Sequence, residues 1–134
     1  MILIFGGAYQ GKLAYTLERF GLTEQDVFRC SDENIQMPEN KKVIYEIDKW
    51  ILALIKRDEI EAGTLPVEKA IQQFIETAGQ SPCIVICNDI SCGIVPIDPV
   101  LRKWRETVGR SLSALSRISD EVIRLFCGIP TGIK

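Results

Sequence analysis

The feature that most constrains this chain is an apolar run that empties into a glycine-rich turn and then a lysine. Met1-Ile2-Leu3-Ile4-Phe5 leads into Gly6-Gly7-Ala8-Tyr9-Gln10-Gly11-Lys12. A continuous apolar run of this length reads as a strand buried on both faces, as in a parallel sheet. From Lys12 the period changes: Leu13, Leu17 and Phe20 share a helix face, and Gly21 is its stop. A strand, a G-x-x-x-x-G-K turn and a helix in that order make a phosphate-binding loop. Its amides converge on phosphate oxygens, and the helix N-terminus adds partial positive charge. Lys12 supplies a mobile cation for the terminal phosphates. Gly6, Gly7, Ala8, Tyr9, Gln10, Gly11, Lys12 and Leu13 are therefore the nucleotide-binding candidates, and Lys12 is also a catalytic one.

One position breaks the pattern. The residue after the lysine normally carries a hydroxyl that ligates Mg²⁺, and here it is Leu13. Thr16 lies too far along the helix to stand in. Magnesium takes few protein ligands and keeps several waters, so the loss weakens the site without abolishing phosphate binding. The sequence leaves open whether Mg²⁺ accompanies the nucleotide, and no metal-ligand set is assigned.

The rest of the chain alternates strands and helices. Residues 27–30 and 43–45 read as short strands, with a polar loop over 31–42. Ile47, Trp50, Ile51, Leu54 and Ile55 repeat at helical spacing, and the charged stretch 56–63 reads as solvated. Val67, Ala70, Ile71, Phe74, Ile75 and Ala78 define a further amphipathic helix, opened by Pro66 and ended by Gly79. Residues 82–87 form the strongest strand. Pro99 opens a long helix expected to turn Leu101, Trp104, Val108, Leu112 and Leu115 inward. Residues 121–127 read as a last long strand and 128–134 as a short edge strand. The expected fold is α/β: one domain over 1–134, a mainly parallel sheet with helices on both faces and right-handed crossovers. Ligands of such sheets sit beyond the carboxyl ends of the strands. That edge takes the phosphate loop, the segment 88–93 after the strongest strand, and Glu46 and Asp48 at the end of the 43–45 strand. Glu46, Asp48 and Asp89 are the acidic candidates for a metal-positioning or proton-accepting role. Trp50 and Trp104 read as core.

Composition excludes several functions. The formal net charge is -2 and the pI about 5.2, unlike the basic excess of a nucleic-acid binder. No apolar run approaches the roughly 20 residues needed to span a bilayer, and no charged-then-apolar leader opens the chain. A cytoplasmic location is expected. Cysteines stand at 30, 83, 87, 92 and 127 without a C-x-x-C pair, and there is no histidine. Zinc binding then lacks its usual spacing and its usual second ligand type. Cys83, Cys87 and Cys127 are expected within strands as small hydrophobes, and Cys92 in a loop near the site. Ser-His-Asp and Cys-His catalysis and histidine-bound intermediates are impossible without the imidazole. Acid–base work falls to Asp, Glu, Lys, Tyr or Cys.

Asn88-Asp89-Ile90-Ser91-Cys92-Gly93-Ile94-Val95-Pro96, followed by Arg102, Arg105 and Gly109-Arg110, resembles the adenosylcobinamide kinase / adenosylcobinamide-phosphate guanylyltransferase family. That family has Asn-Glu, a Gly-Met-Gly-Ile-Val-Pro turn, a helix with an Arg-x-Phe-x-Asp core, and Ala-Gly-Arg. Ser119-Asp120-Glu121-Val122 and Gly128-Ile129-Pro130 through Lys134 are similar to its closing Ala-Asp-Glu-Val and Gly-Ile-x-x-x-x-Lys. Its opening Gly-Gly-Ala-Arg-Ser-Gly-Lys-Ser resembles Gly6 through Leu13. The likeness is concentrated in residues 1–20 and 82–134, and Glu46 before Trp50 falls where the family has its strand-end acid.

The resemblance implies a phosphate-loop NTPase fold of RecA-like type and a homo-oligomer. ATP or GTP would be the nucleotide, and a cobinamide-type corrinoid the other ligand. It implies phosphorylation of cobinamide, then GMP transfer through a guanylylated histidine. Four departures accompany it: no histidine, a shortened segment after the loop, Leu13 for the hydroxyl, and Leu112-Ser113 for Asn-Gln. Asp89 for Glu keeps the charge. Guanylyl transfer by that route is therefore expected to be lost. Three functions follow as expectations. The first is a kinase-like phosphotransferase using Lys12 with Asp89 or Glu46. The second is a non-catalytic nucleotide sensor or partner subunit. The third is an interaction protein keeping only the fold.

Overall fold

The computed structural model describes residues 1–60, 66–90 and 94–134. Strands β1 (Ile2–Gly6), β2 (Val27–Arg29), β3 (Val43–Tyr45), β4 (Ile84–Asn88), β5 (Glu121–Phe126) and β6 (Ile129–Gly132) make one sheet. Its order is β2-β3-β4-β1-β5-β6. Five strands run parallel, and β6 pairs antiparallel with β5 as an edge hairpin. Among the described residues four α-helices pack on the sheet: α1 (Lys12–Phe20), α2 (Ile47–Ile60), α3 (Val67–Gly79) and α4 (Pro99–Ile118).

The strand residues alternate between two cores. Leu3, Ile44, Val85, Cys87 and Val122 face a large core with α2, α3 and α4, built around Trp50 and Phe74, whose rings lie 5.4 Å apart. Ile4, Val43, Ile84, Ile86, Ile123 and Leu125 face a smaller core covered by Leu13, Tyr15, Leu17 and Phe20 of α1. Each fully buried large side chain contributes about 1.5–3 kcal/mol by leaving water. Helices thus lie on both faces, three against one. The crossover through α1 runs one way across the sheet, and those through α2–α3 and through α4 run the other way on the opposite face. All three therefore share one hand.

The registers level the strand ends. Gly6 of β1 lies beside Asn88 of β4, and Tyr45 of β3 lies beside Ile86. β4 is thereby inserted between the loop strand and the strand that leads to Glu46 and Asp48. Asp48 does not close the strand: it lies in the first turn of α2, whose helix begins at Ile47. An acid in a helix's first turn meets the positive end of the helix dipole.

Other boundaries shift for plain physical reasons. α2 runs on through part of the charged stretch to Ile60, and the remainder of that stretch, 61–63, lies outside the described residues. Leu101 is exposed rather than inward; the buried stripe of α4 is Thr107, Val108, Ser111 and Leu115, with Trp104 and Leu112 half-buried. Cys127 is not in a strand but in the β5–β6 turn, exposed and at φ 51, while Cys83 sits just before β4. Gly21 closes α1 in the left-handed conformation, its N–H bonded to the Leu17 carbonyl. No helix among the described residues is long and apolar enough to cross a membrane.

Candidate functional site

The glycine turn takes the conformation its pattern demands. Gly11 stands at φ 77 as the residue before α1, and Tyr9 holds φ 60 at the loop's exposed tip. Gly6 has no room for a side chain: a Cβ there would lie 2.3 Å from the Leu125 carbonyl oxygen. The Gly6 carbonyl in turn accepts the Asp89 N–H at 2.8 Å, tying the exits of β1 and β4 together. Lys12 is buried, and its Nζ curls back to donate to the Gly7 carbonyl at 2.5 Å. Burial lowers its pKa, while Asp48, Cys87 and Glu46 pull the other way.

Facing the loop is a polar cluster built from the exits of β3 and β4. Asn88 donates its backbone N–H to Asp48 Oδ1 at 3.0 Å and its Nδ2 to Asp48 Oδ2 at 3.2 Å. The same Nδ2 donates to Glu46 Oε2 at 3.0 Å. Glu46 is held at φ 61, a conformation an L-residue rarely adopts, and pairs with Lys49 at 3.1 Å. Asp48 is 2% exposed; burial raises its pKa, and the Asn88 hydrogen bonds partly offset that rise. Trp104 donates its indole N–H to the Asp48 carbonyl at 2.7 Å, fixing α4 against the start of α2.

Loop and cluster line one cavity of about 880 Å³, within the range of small-ligand sites. Ala8 through Leu13, Glu46, Asp48, Asn88, Asp89 and Trp104 all contribute to its wall. Every sequence candidate except Gly6 and Gly7 reaches that wall; those two shape the turn behind it. Trp104, expected in the core, is half-buried and lines the cavity at the rim of the α2–α4 contact. Asn88, absent from the candidate site residues, is the donor that holds both Asp48 and Glu46. An amide at the end of a buried strand was the available signal.

The donors suit a magnesium ion carried in by phosphates. Leu13 packs toward the smaller core and offers no ligand. Thr16 is fully buried and donates its hydroxyl to the Lys12 carbonyl at 2.7 Å, so it cannot replace the missing hydroxyl. The Asp48 and Glu46 carboxylates remain, which suits an ion that keeps most of its waters. Among the described residues no three His, Cys, Asp or Glu side chains gather as a metal cage. The buried thiols are inert: burial pushes Cys30 up to about 12 and Cys87 well above the usual thiol range. Cys92 lies outside the described residues.

No curated protein matches the chain. The family model described as cobinamide kinase / cobinamide phosphate guanyltransferase matches residues 18–133. The match takes in the middle of the chain, where the motif-level likeness is thinnest, and begins after the phosphate loop. The loop therefore rests on its own pattern and geometry, and the rest of the fold on the family match. With residues 18–133 of its 134 matched, the chain belongs to the cobinamide kinase / cobinamide phosphate guanyltransferase family.

Proposed function

We propose that this chain binds a nucleoside triphosphate, ATP or GTP, and transfers its terminal phosphoryl group to the alcohol of a cobinamide-type corrinoid. The observation that carries this reading is the placement of Lys12 opposite Asp48, Glu46 and Asn88 in one cavity. Phosphoryl transfer needs little covalent help; it needs a cation on the phosphates and an acceptor held in line. Lys12 and the loop amides supply the first. Glu46, at the cavity wall, is the group to accept the acceptor's proton, with Asp89 the second candidate. Asp48, held by Asn88 and by α2, keeps that wall in place. Magnesium bound to the phosphates would add charge neutralisation, held through water by Asp48 and Glu46.

Guanylyl transfer is not part of the proposal, because the family-type route needs a histidine nucleophile and the 134 residues contain none. The second reading is a nucleotide sensor. Leu13 favours it, since the loop then binds phosphate without the usual grip on a metal.

A thermal-shift panel with ATP and GTP, with and without magnesium, separates these readings when paired with turnover assays on cobinamide. A ligand at 100 times its Kd stabilises by about 2.7 kcal/mol. A magnesium-dependent shift with nucleoside diphosphate formed, abolished by Lys12→Ala, is the expected result. A shift indifferent to magnesium and without product replaces it with the sensor. No shift at millimolar nucleotide leaves only an interaction protein.

A further inference from the structure

α4 carries more than the wall of the nucleotide cavity. Arg102, Lys103, Arg105, Arg110 and Arg117 stand on it against a single acid, Glu106, although the whole chain has a net charge of -2. A concentration of one sign on one helix of an acidic protein is a local field with a purpose to be sought. Arg102, Arg105, Glu106, Gly109, Arg110 and Ser113, with Val95, line a second cleft of about 480 Å³. It shares no residue with the nucleotide cavity.

The helix period explains the shape. At 3.6 residues per turn, Gly109 and Ser113 fall in the middle of the stripe. Arg105 lies on one side of them and Arg110 on the other, and Arg102 closes the N-terminal end. Small residues thus form a floor between guanidinium arms. A glycine within a helix costs about 1 kcal/mol relative to alanine, and Gly109 lines the cleft without a side chain. Arg102 and Arg110 make none of the ion pairs found among the described residues. Their backbones are separated by eight residues, about 12 Å along the axis. That spacing suits a ligand presenting more than one anionic group.

We propose that this cleft is a second anion site, taking a phosphate-bearing small molecule with two or more negative charges. The planar guanidinium fork matches phosphate oxygens in bidentate fashion. The concave cleft, within the size range of small-ligand sites, distinguishes it from the flat basic stripe of a nucleic-acid binder. It stands apart from the proposed phosphotransfer, because the phosphate loop can be silenced without touching it.

The test is titration calorimetry with inorganic tripolyphosphate on the full chain carrying Lys12→Ala. Binding is expected to persist in that variant, to weaken with added salt, and to fall at least about ten-fold when Arg102→Gln and Arg110→Gln are added. Arg102→Lys with Arg110→Lys keeps the charge, loses the fork, and should fall between. That pair also serves if the glutamine variant does not fold, which circular dichroism reports. Two results would overturn the site: no binding once Lys12 is removed, or binding unmoved by both arginine pairs.

Discussion

Asn88 holds Asp48 by two hydrogen bonds at once, from its backbone N–H at 3.0 Å and from its side-chain Nδ2 at 3.2 Å. The same amide reaches Glu46 at 3.0 Å. One neutral donor therefore stands between two carboxylates on neighbouring elements. Asn88→Ala removes that donor and leaves the two acids facing each other. It should lower stability by about 1–3 kcal/mol, the cost of orphaning buried polar partners. Asn88→Asp replaces the donor with a third carboxylate and should cost more at pH 8 than at pH 5, where protonation relieves the crowding. Urea midpoints at the two pH values check both.

Asp48 gives a pH dependence of definite sign. Burial raises its folded-state pKa above the ordinary aspartate value of about 3.9. The folded protein therefore holds this proton more tightly than the unfolded chain. Its contribution is complete below the unfolded pKa and declines as pH rises to the raised folded value. Asp32 and Asp120, whose pKa values are lowered by Lys56 and by the N-terminal amine, act in the opposite sense but lie at the surface. The difference between wild type and Asp48→Asn isolates the Asp48 part. Denaturant melts from pH 3 upward should show the wild type losing ground to the variant across that window, and a flat difference would disprove the assignment.

Gly6 is required by space, and Gly21 by conformation. A Cβ at Gly6 would meet the Leu125 carbonyl at 2.3 Å, whereas at Gly21, φ 63, nothing lies within 4 Å. Gly21→Ala should cost about 1–2 kcal/mol, the penalty of the left-handed region for an L-residue. Gly6→Ala should cost about 3 kcal/mol or more, because two central strands must part. Thermal melts of the two variants side by side test the ranking.

Trp104 offers a probe of the cavity. Its ring lines the wall and its indole N–H binds the Asp48 carbonyl at 2.7 Å, while Trp50 is 2% exposed in the core. Ligand entry should change the emission of Trp104 alone. Trp50→Phe should keep the response and Trp104→Phe should abolish it, with a stability loss of about 1 kcal/mol for the missing hydrogen bond.

The sheet and the strand–glycine turn–helix opening were legible because each rests on local chemistry. A run such as Ile2 to Phe5 favours a strand covered on both faces, and Gly6 and Gly11 take backbone conformations that a side chain would strain. Tertiary features were harder to read. Leu101 carries the right period for α4, yet the helix turns Thr107 and Ser111 inward, where their hydroxyls bond the carbonyls of Lys103 and Thr107. Side chains that satisfy themselves within the helix can be buried, and hydropathy alone misses them. Asp48 was legible as an acid near the site but was read as closing the strand, although it falls inside the helical pattern from Ile47; the strand does end at Tyr45, and the Glu46 backbone at φ 61 turns the chain straight into α2. The Asn88 amide at the end of a buried strand is a local sign of a donor, but which acids it meets is decided across 40 residues of intervening chain.

Leu13 is the position at which function can be gained. Its side chain packs toward the smaller core beside Leu17 and Phe20, and it follows Lys12 where a hydroxyl would meet a metal. Leu13→Ser trades that packing for a ligand. Stability should fall by about 2 kcal/mol or more, as for a large-to-small change at a partly buried site. If Asp48 and Glu46 already hold the rest of a magnesium shell, the new hydroxyl completes it. Nucleotide affinity should then become strongly magnesium-dependent, and phosphoryl transfer should rise by about ten-fold, equivalent to 1.4 kcal/mol of barrier. Measured Kd for ATP and GTP with and without magnesium, together with single-turnover rates, check both. A variant that folds and binds nucleotide with no added response to magnesium would show that Asp48 and Glu46 do not face the ion, and the proton-accepting role of Glu46 would then be all that remains for that pair.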